Sequence, residues 1–320
     1  MPPIRSCRRD SGGGAPNPGR ARRRNRGMSA VPADRLQDAD RVEWLRISPF
    51  LLIQAGCLGV FVVGWSPVAL AVALALYAVR MFAITAFYHR YFSHRAFRAP
   101  RAVQFVFALV GNASAQRGPL WWAAHHRRHH RHTDTELDPH SPRRQGLLWS
   151  HVGWFTTRGN FGTDLAAVPD LARYPELRWL DRNDWVVPLL LAAGLWGLGA
   201  WLEVVAPALG TSGAQLFVWG FCVSTTVLFH VTFSINSLAH RIGTRRYDTP
   251  EDSRNHRLLA LLTFGEGWHN NHHRWPHSAA QGFFPGEWDL SHRVLRGMQR
   301  LGLVSDLRPV PAEVVDEGRA

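Results

Sequence analysis

Two long apolar blocks, residues 48–88 and 184–238, do most to limit what this chain can fold into. The first runs SPFLLIQAGCLGVFVVGW (48–65), then SPVALAVALALYAV (66–79), then Arg80 and MFAITAFY (81–88). A helix needs about 20 largely apolar residues to cross a hydrocarbon core of ~30 Å, so the block predicts a helical hairpin turned at Gly64-Trp65-Ser66-Pro67. The second block, WVVPLLLAAGLWGLGAWLEVV (185–205), a turn-like APALGTSGAQ (206–215) and LFVWGFCVSTTVLFHVTFSI (216–235), predicts another. Four spans follow, at about 48–65, 67–88, 185–205 and 216–236. Arg80 interrupts the second span and is expected to snorkel to the interface or to face the bundle as that helix leaves the membrane.

The 320 residues would otherwise suggest two soluble domains. However, the 46% hydrophobic content lies mainly in these blocks and the 19% charged content elsewhere, which excludes a disordered chain and argues against an ordinary soluble α/β enzyme. The formal net charge is +13, and with no lysine in the chain every basic side chain other than histidine is arginine, which reads as a genome-composition bias and fits a GC-rich bacterium. Both connecting turns carry no charge, whereas Arg90, Arg95, Arg98, Arg101, Arg178, Arg182, Arg241, Arg245 and Arg246 crowd the opposite ends. Positive charge at span ends faces the cytoplasm. The expected protein is therefore an all-α, multi-pass protein of the bacterial cytoplasmic membrane, with both termini and both long polar segments inside.

Residues 1–40 are rich in Gly, Pro and Arg without apolar period and are expected to form a disordered tail. Its RARRRNRG run (20–27) suits a solvated cytoplasmic segment better than nucleic-acid binding. No apolar stretch follows as in a signal peptide, and Met28 is an alternative start. Residues 41–310 are expected as one domain, with a polar cap formed by 89–184 and 237–305, and 311–320 as a short tail. The stretch AVQFVFALVGNASAQ (102–116) is too short to span and suits an in-plane or re-entrant helix. Cys7, Cys57 and Cys222 form no CxxC pair, so neither a disulfide framework nor a thiolate metal site is indicated.

Seventeen histidines decide the functional reading. His89 and His94 form HxxxxH where the second span meets the cap. His126, His129 and His130 form HxxHH, His269, His272 and His273 form HxxHH again, and Asn236 and His240 form NxxxH where the fourth span emerges. On a helix, positions i, i+3 and i+4 share a face, so each HxxHH is expected to aim three imidazoles at nearly one point. HxxxxH does not share a face on a straight helix and requires a bend or bulge. Imidazole without thiolate or carboxylate suits Zn, Cu, Fe or Ni, and nine histidines are enough for two ions with a position left for oxygen. Among the rest, His125 and His132 are expected to be neighbours rather than ligands, His230 a satisfied core residue, and His256, His277 and His292 bystanders. His140 and His151 are candidates for orienting ligand rings.

HRYFSH, WWAAHHRRHH, DPHSPRR, SHVGW, NSLAH and GEGWHNNHH, in this order and spacing, resemble the membrane-bound fatty acid desaturases, and within them the acyl-CoA Δ9 (stearoyl-CoA) desaturases of bacterial type. The resemblance covers about residues 45–305. It implies a di-iron centre of two Fe2+ ions held by His89, His94, His126, His129, His130, His240, His269, His272 and His273, with Asn236 acting through a bound water, in a helical cytoplasmic cap over a bent apolar tunnel. Trp121, Trp122, Trp149 and Phe233 are candidate tunnel residues. The implied reaction consumes an acyl chain, O2, two electrons and two protons and yields a cis double bond, at Δ9, and two waters. Animal members carry Arg two residues before the second box, where this chain has Ala124, so acyl-CoA, acyl-ACP and phospholipid-bound chains stay open as carriers. No haem-binding HPGG segment follows residue 305, so electrons are expected from a separate protein: a ferredoxin, rubredoxin, cytochrome b5-like protein or reductase. The alternatives are a hydroxylase of lipids or alkanes with the same oxidant, and a His-rich membrane metal transporter.

Overall fold

The computed structural model describes residues 40–320. The Arg-rich run, Met28 and Cys7 lie outside the described residues.

Four helices are long and apolar enough to cross a membrane: α1 (Trp44–Val63), α2 (Pro67–Ser93), α6 (Val186–Val205) and α7 (Gly213–His240), introduced here with the cap helices α3 (Arg101–Asn112), α4 (Pro119–His132) and α5 (Pro175–Arg182) between them. The chain ends in α8 (His269–Arg274), α9 (Leu290–Arg300) and α10 (Ala312–Glu317). No strand is present among the described residues, only isolated bridges such as Val42 with Thr157 and Arg98 with Ser305.

Local chemistry sets the first hairpin. Gly64 takes φ +65°, ending α1, and the Ser66 hydroxyl then accepts a hydrogen bond from the Ala69 N–H at 3.1 Å with Pro67 at the first helical position, a strong start for α2. In the second hairpin Gly199 lets α6 approach the 206–212 connection, because a β-carbon there would collide with the Ser212 carbonyl.

The four spans are not equivalent. The apolar windows of α2 and α7 are 39% and 56% buried within the protein, against 11% and 22% for α1 and α6. α2 and α7 are thus the inner pair, and these are the helices whose cap-side ends carry His89 and the Asn236–His240 pair. Arg80 lies on the inner face of α2, 1% exposed, and donates to Thr225 Oγ1 and Ser224 Oγ, each at 2.7 Å, and to the Ala113 carbonyl at 3.2 Å. It faces the bundle and does not snorkel. Its fork of donors suits several neutral acceptors at once.

From Ala83 to Ser93 α2 winds as a π-helix, fully buried. α3 packs against this stretch, with Phe87 stacked on Phe107 at 4.0 Å between ring centroids, and α4 packs against it from another side. The segment 102–116 is therefore a cap helix held on the π-helical end of a span. Residues 311–320, expected as a tail, instead form α10 and close onto the cap. Val314 is 4% exposed, its carbonyl accepts from Tyr247 Oη at 3.0 Å, and Glu317 pairs with Arg274 at the end of α8. The signal was a single buried apolar turn, too short to show a period.

Candidate metal centre

The nine box histidines converge in two adjoining groups. His89, His94, His126, His130 and His272 form one, and His129, His240, His269 and His273 the other, the donor atoms within each group lying within 4.8 Å of one another. The groups touch, with the His130 and His273 ring centroids 4.5 Å apart.

The split corrects the expectation that each HxxHH aims at one point. His126 and His130 share a group, but His129 joins the other; His269 and His273 share a group, but His272 joins the first. On a helix of 3.6 residues per turn, i+4 lies about 40° to one side of i and i+3 about 60° to the other, so i+3 and i+4 point about 100° apart. Each box therefore supplies a pair to one group and a single ring to its neighbour. The HxxxxH box is reconciled by the π-helix, whose i to i+5 closure returns His94 over His89.

The donors are arranged as a metal would need them. Nε2 atoms face one another at 2.7 Å for His94 and His126, 3.0 Å for His89 and His272, 2.9 Å for His130 and His272, 3.0 Å for His240 and His269, and 3.1 Å for His269 and His273. Bonds of about 2.1 Å from an ion to nitrogen put donors at right angles about 3.0 Å apart. Neutral imidazoles could satisfy only some of these facing pairs by hydrogen bonding, since each ring has one N–H. Two ions satisfy all of them.

Carboxylates that the motifs did not announce hold the other faces of the rings. His129 Nδ1 donates to Asp138 at 3.0 Å, and His89 Nδ1 lies against Glu266, which also accepts from Arg90 Nε at 3.1 Å. Asp134 and Glu251 stand 3.8 and 3.9 Å from His240 Nδ1, and Glu251 is 3.7 Å from His273 Nδ1. The close pairs, His129 with Asp138 and His89 with Glu266, fix the tautomer and raise ligand basicity, whereas Asp134 and Glu251 act on His240 and His273 as nearby charges. Asp138 lies in DPHSPRR, Asp134 just before it and Glu266 in GEGWHNNHH, while Glu251 lies outside every quoted motif; spacing alone does not distinguish any of them from a surface acid.

Burial, followed by the neighbouring imidazoles, pushes His94, His126, His130, His269, His272 and His273 well below the usual histidine range. His129 moves the other way: burial works to lower it, but Asp138, Asp134 and Glu251 outweigh this and raise it. Burial works to raise Asp138 and Glu266, yet His129 in the first case and His89 with Arg90 in the second hold them below the ordinary carboxylate range. The six lowered rings favour the neutral form that can ligate a metal, beside carboxylates that favour the ionised form.

The third box is positioned by asparagines. Asn255 Oδ1 accepts the N–H groups of Asn270 and Asn271 at 3.0 and 3.2 Å, covering the start of α8. Asn270 Oδ1 accepts from the backbone of Arg246 and Tyr247, both at 2.8 Å, and Asn271 donates to the Gln281 carbonyl at 3.0 Å.

An apolar cavity of about 580 Å³ runs from this centre into the bundle, a size suited to a small-molecule site. Trp121, Trp122 and Phe233 line it, with His125, His126, His140 and Asn236 at its metal end. Gln116 Nε2 donates to Thr232 Oγ1 at 3.2 Å in its wall. Trp149 does not line it; its indole N–H instead donates to the Pro139 carbonyl at 3.0 Å, which holds the loop beneath. His125 packs on Trp121 at 4.5 Å and belongs to neither metal group. His140 sits 4.4 Å from the His129 ring beside Asp138, close enough to steady that pair. His151 lies further off. It contacts Ser237 Oγ at 2.9 Å and His230 Nδ1 at 3.0 Å, so it reaches the centre only through the residue beside Asn236, and His230 is satisfied in turn.

The sequence carrying this centre and cavity matches known proteins. The fatty acid desaturase family profile matches residues 64–281. The chain belongs to the fatty acid desaturase family. An acyl-CoA 5-desaturase of Anemone leveillei is 35% identical over 288 residues, covering 86% of this chain and 84% of that protein. An sn-2 palmitoyl-lipid 9-desaturase of Nostoc sp. (strain 36) is 33% identical, covering 88% and 95%, and an sn-1 stearoyl-lipid 9-desaturase of Anabaena variabilis is 33% identical, covering 84% and 94%. Desaturases of this family are di-iron oxidoreductases acting on paired donors with O2, and the four membrane-length helices suit that setting.

Proposed function

We propose that this desaturase introduces a cis double bond, at Δ9, into a saturated long acyl chain carried as a CoA thioester. The reading rests on one observation: two imidazole groups, each sized for one ion, close one end of an apolar cavity. The nine histidines named above would hold two irons, with Asn236 at the cavity end of the second group as the water-mediated contact. When bound, the irons supply O2 reduction and the removal of hydrogen from an unactivated methylene, which side chains alone cannot perform.

The chain's own residues do the positioning. Trp122 stacks on His126 at 5.0 Å, so the wall that touches the substrate also fixes a ligand ring. The Gln116–Thr232 bridge ties two parts of the cavity wall together. A misplacement of about 1 Å at the reacting carbon costs on the order of 100-fold in rate, which makes such bracing part of regiochemistry. Overall, one CH2–CH2 unit, O2, two electrons and two protons give one CH=CH unit and two waters. The electrons come from a separate protein. The arginines at the span ends support a cytoplasmic side of a bacterial membrane for the cap and its histidines.

Expression in a host lacking its own desaturase, with double-bond mapping of its lipids, tests the proposal. A Δ9 cis bond is expected. A gain of oxygen in place of the loss of two hydrogens would establish a hydroxylase instead. Zinc as the sole bound metal would overturn the iron assignment.

A further inference from the structure

The cavity is open on its flank. α1 and α6 each pack on α7 and not closely on each other. Between them Leu52 of α1, and Trp185 and Leu189 at the start of α6, line the cavity while being 69%, 60% and 58% exposed. A side chain can do both only where the wall is broken. These residues lie in or next to membrane-length helices, so the medium outside Leu52 and Leu189 is hydrocarbon. Behind the gap, Ile53, Ala192 and Phe229 are buried and lead toward Phe233 and the metal end.

The gap has a polar upper edge. Arg46 lies over the Phe161 ring at 5.2 Å, and Arg117 pairs with Asp184 at 3.1 Å beside Trp185, all of them on the cavity border. Arginine and tryptophan at this depth belong to the headgroup region. The arrangement suits a molecule whose polar head stays at the membrane surface while its tail turns inward.

We infer that the gap between α1 and α6 is a lateral portal through which a long saturated acyl chain passes from the cap-side leaflet to the metal centre. This rests on the desaturase reading and adds the route. The shared chemistry is an acyl chain resident in the leaflet, supplied either by a membrane-partitioned acyl-CoA or by a glycerolipid ester.

The test uses the iron-loaded protein in nanodiscs and a mid-chain diazirine, carried in one arm by phosphatidylcholine and in the other by acyl-CoA. After photolysis, adducts are mapped by mass spectrometry. Interior adducts on Ile53, Ala192 or Phe229 are expected, together with their loss in a Leu52→Trp/Leu189→Trp variant that retains its iron and its surface adducts on Phe61 and Val62. Whichever arm gives the portal-dependent interior adducts identifies the source. Adducts confined to outward faces in both arms, or interior adducts undiminished in the variant, would overturn the portal. Labelling needs no turnover, so failure of the desaturase reading shows separately, as iron-loaded protein that forms no double bond.

Discussion

Asp138 accepts a hydrogen bond from His129 Nδ1 at 3.0 Å, and this holds the ring proton on Nδ1 and leaves Nε2 with its lone pair. The same carboxylate accepts the Asp134 N–H at 2.9 Å and the His140 N–H at 3.2 Å, so the loop after α4 is folded around the acid that orients a ligand. Asp138→Asn should weaken iron binding or activity by about 10–100-fold. The helical circular dichroism should stay unchanged, and competition with a chelator measures the affinity.

The crossing of the boxes makes single-site variants selective. His126→Ala or His130→Ala should impair one ion site, and His269→Ala or His273→Ala the other. Each is expected to retain about one equivalent of iron, because a group keeping its full ligand set still binds. His129→Ala should likewise abolish desaturation and lower bound iron without unfolding the helices. Iron analysis with double-bond assay checks these variants, and a variant that retains both irons would contradict the ligand sets.

The metal-stripped protein should be acid-sensitive. Six of the rings have folded pKa values well below the ordinary histidine value of about 6.5, so the unfolded chain binds more protons as pH falls below that value. Their contribution to stability is complete above about pH 6.5 and declines through the acid range below it. His129, raised by its acids, acts in the opposite sense, losing its contribution as pH rises through its folded pKa, but it is one ring against six. Thermal melts in detergent across pH 4–8 should show the midpoint falling on the acid side. Iron loading should shift this loss to lower pH, because the ion competes with the protons.

Arg80 is a structural tie between the spans. Arg80→Ala strips three donors from Thr225, Ser224 and the Ala113 carbonyl. It should destabilise the bundle by about 1.5–3 kcal/mol, the usual worth of hydrogen bonds to a buried charged group. Denaturation in mild detergent measures this.

The histidine boxes are legible because metal ligands leave a local trace: a helix forces its ligands into fixed spacings. Asp138, Glu266 and Asn255 leave none, since each reaches its ring or α8 through a loop or across the sequence. Trp149 shows the opposite failure. An aromatic beside a motif looks like a tunnel wall, yet its orientation is set by a hydrogen bond to Pro139 that no pattern announces. The packed C-terminal turn at Val314 leaves no trace either, because one apolar turn is too short to show a period.

Hydrophobic length determined the four spans, because a bilayer accepts only segments that satisfy their own backbone over its full thickness. Imidazole spacing likewise marked the histidines that gather where those spans end. Which rings gather into which group was decided by the π-turn of α2 and the mutual rotation of α4 and α8. Where a hydrocarbon tail could enter was decided by α1 and α6 each leaning on α7. Both depend on angles between distant helices, and packing sets those angles only once the whole chain has folded.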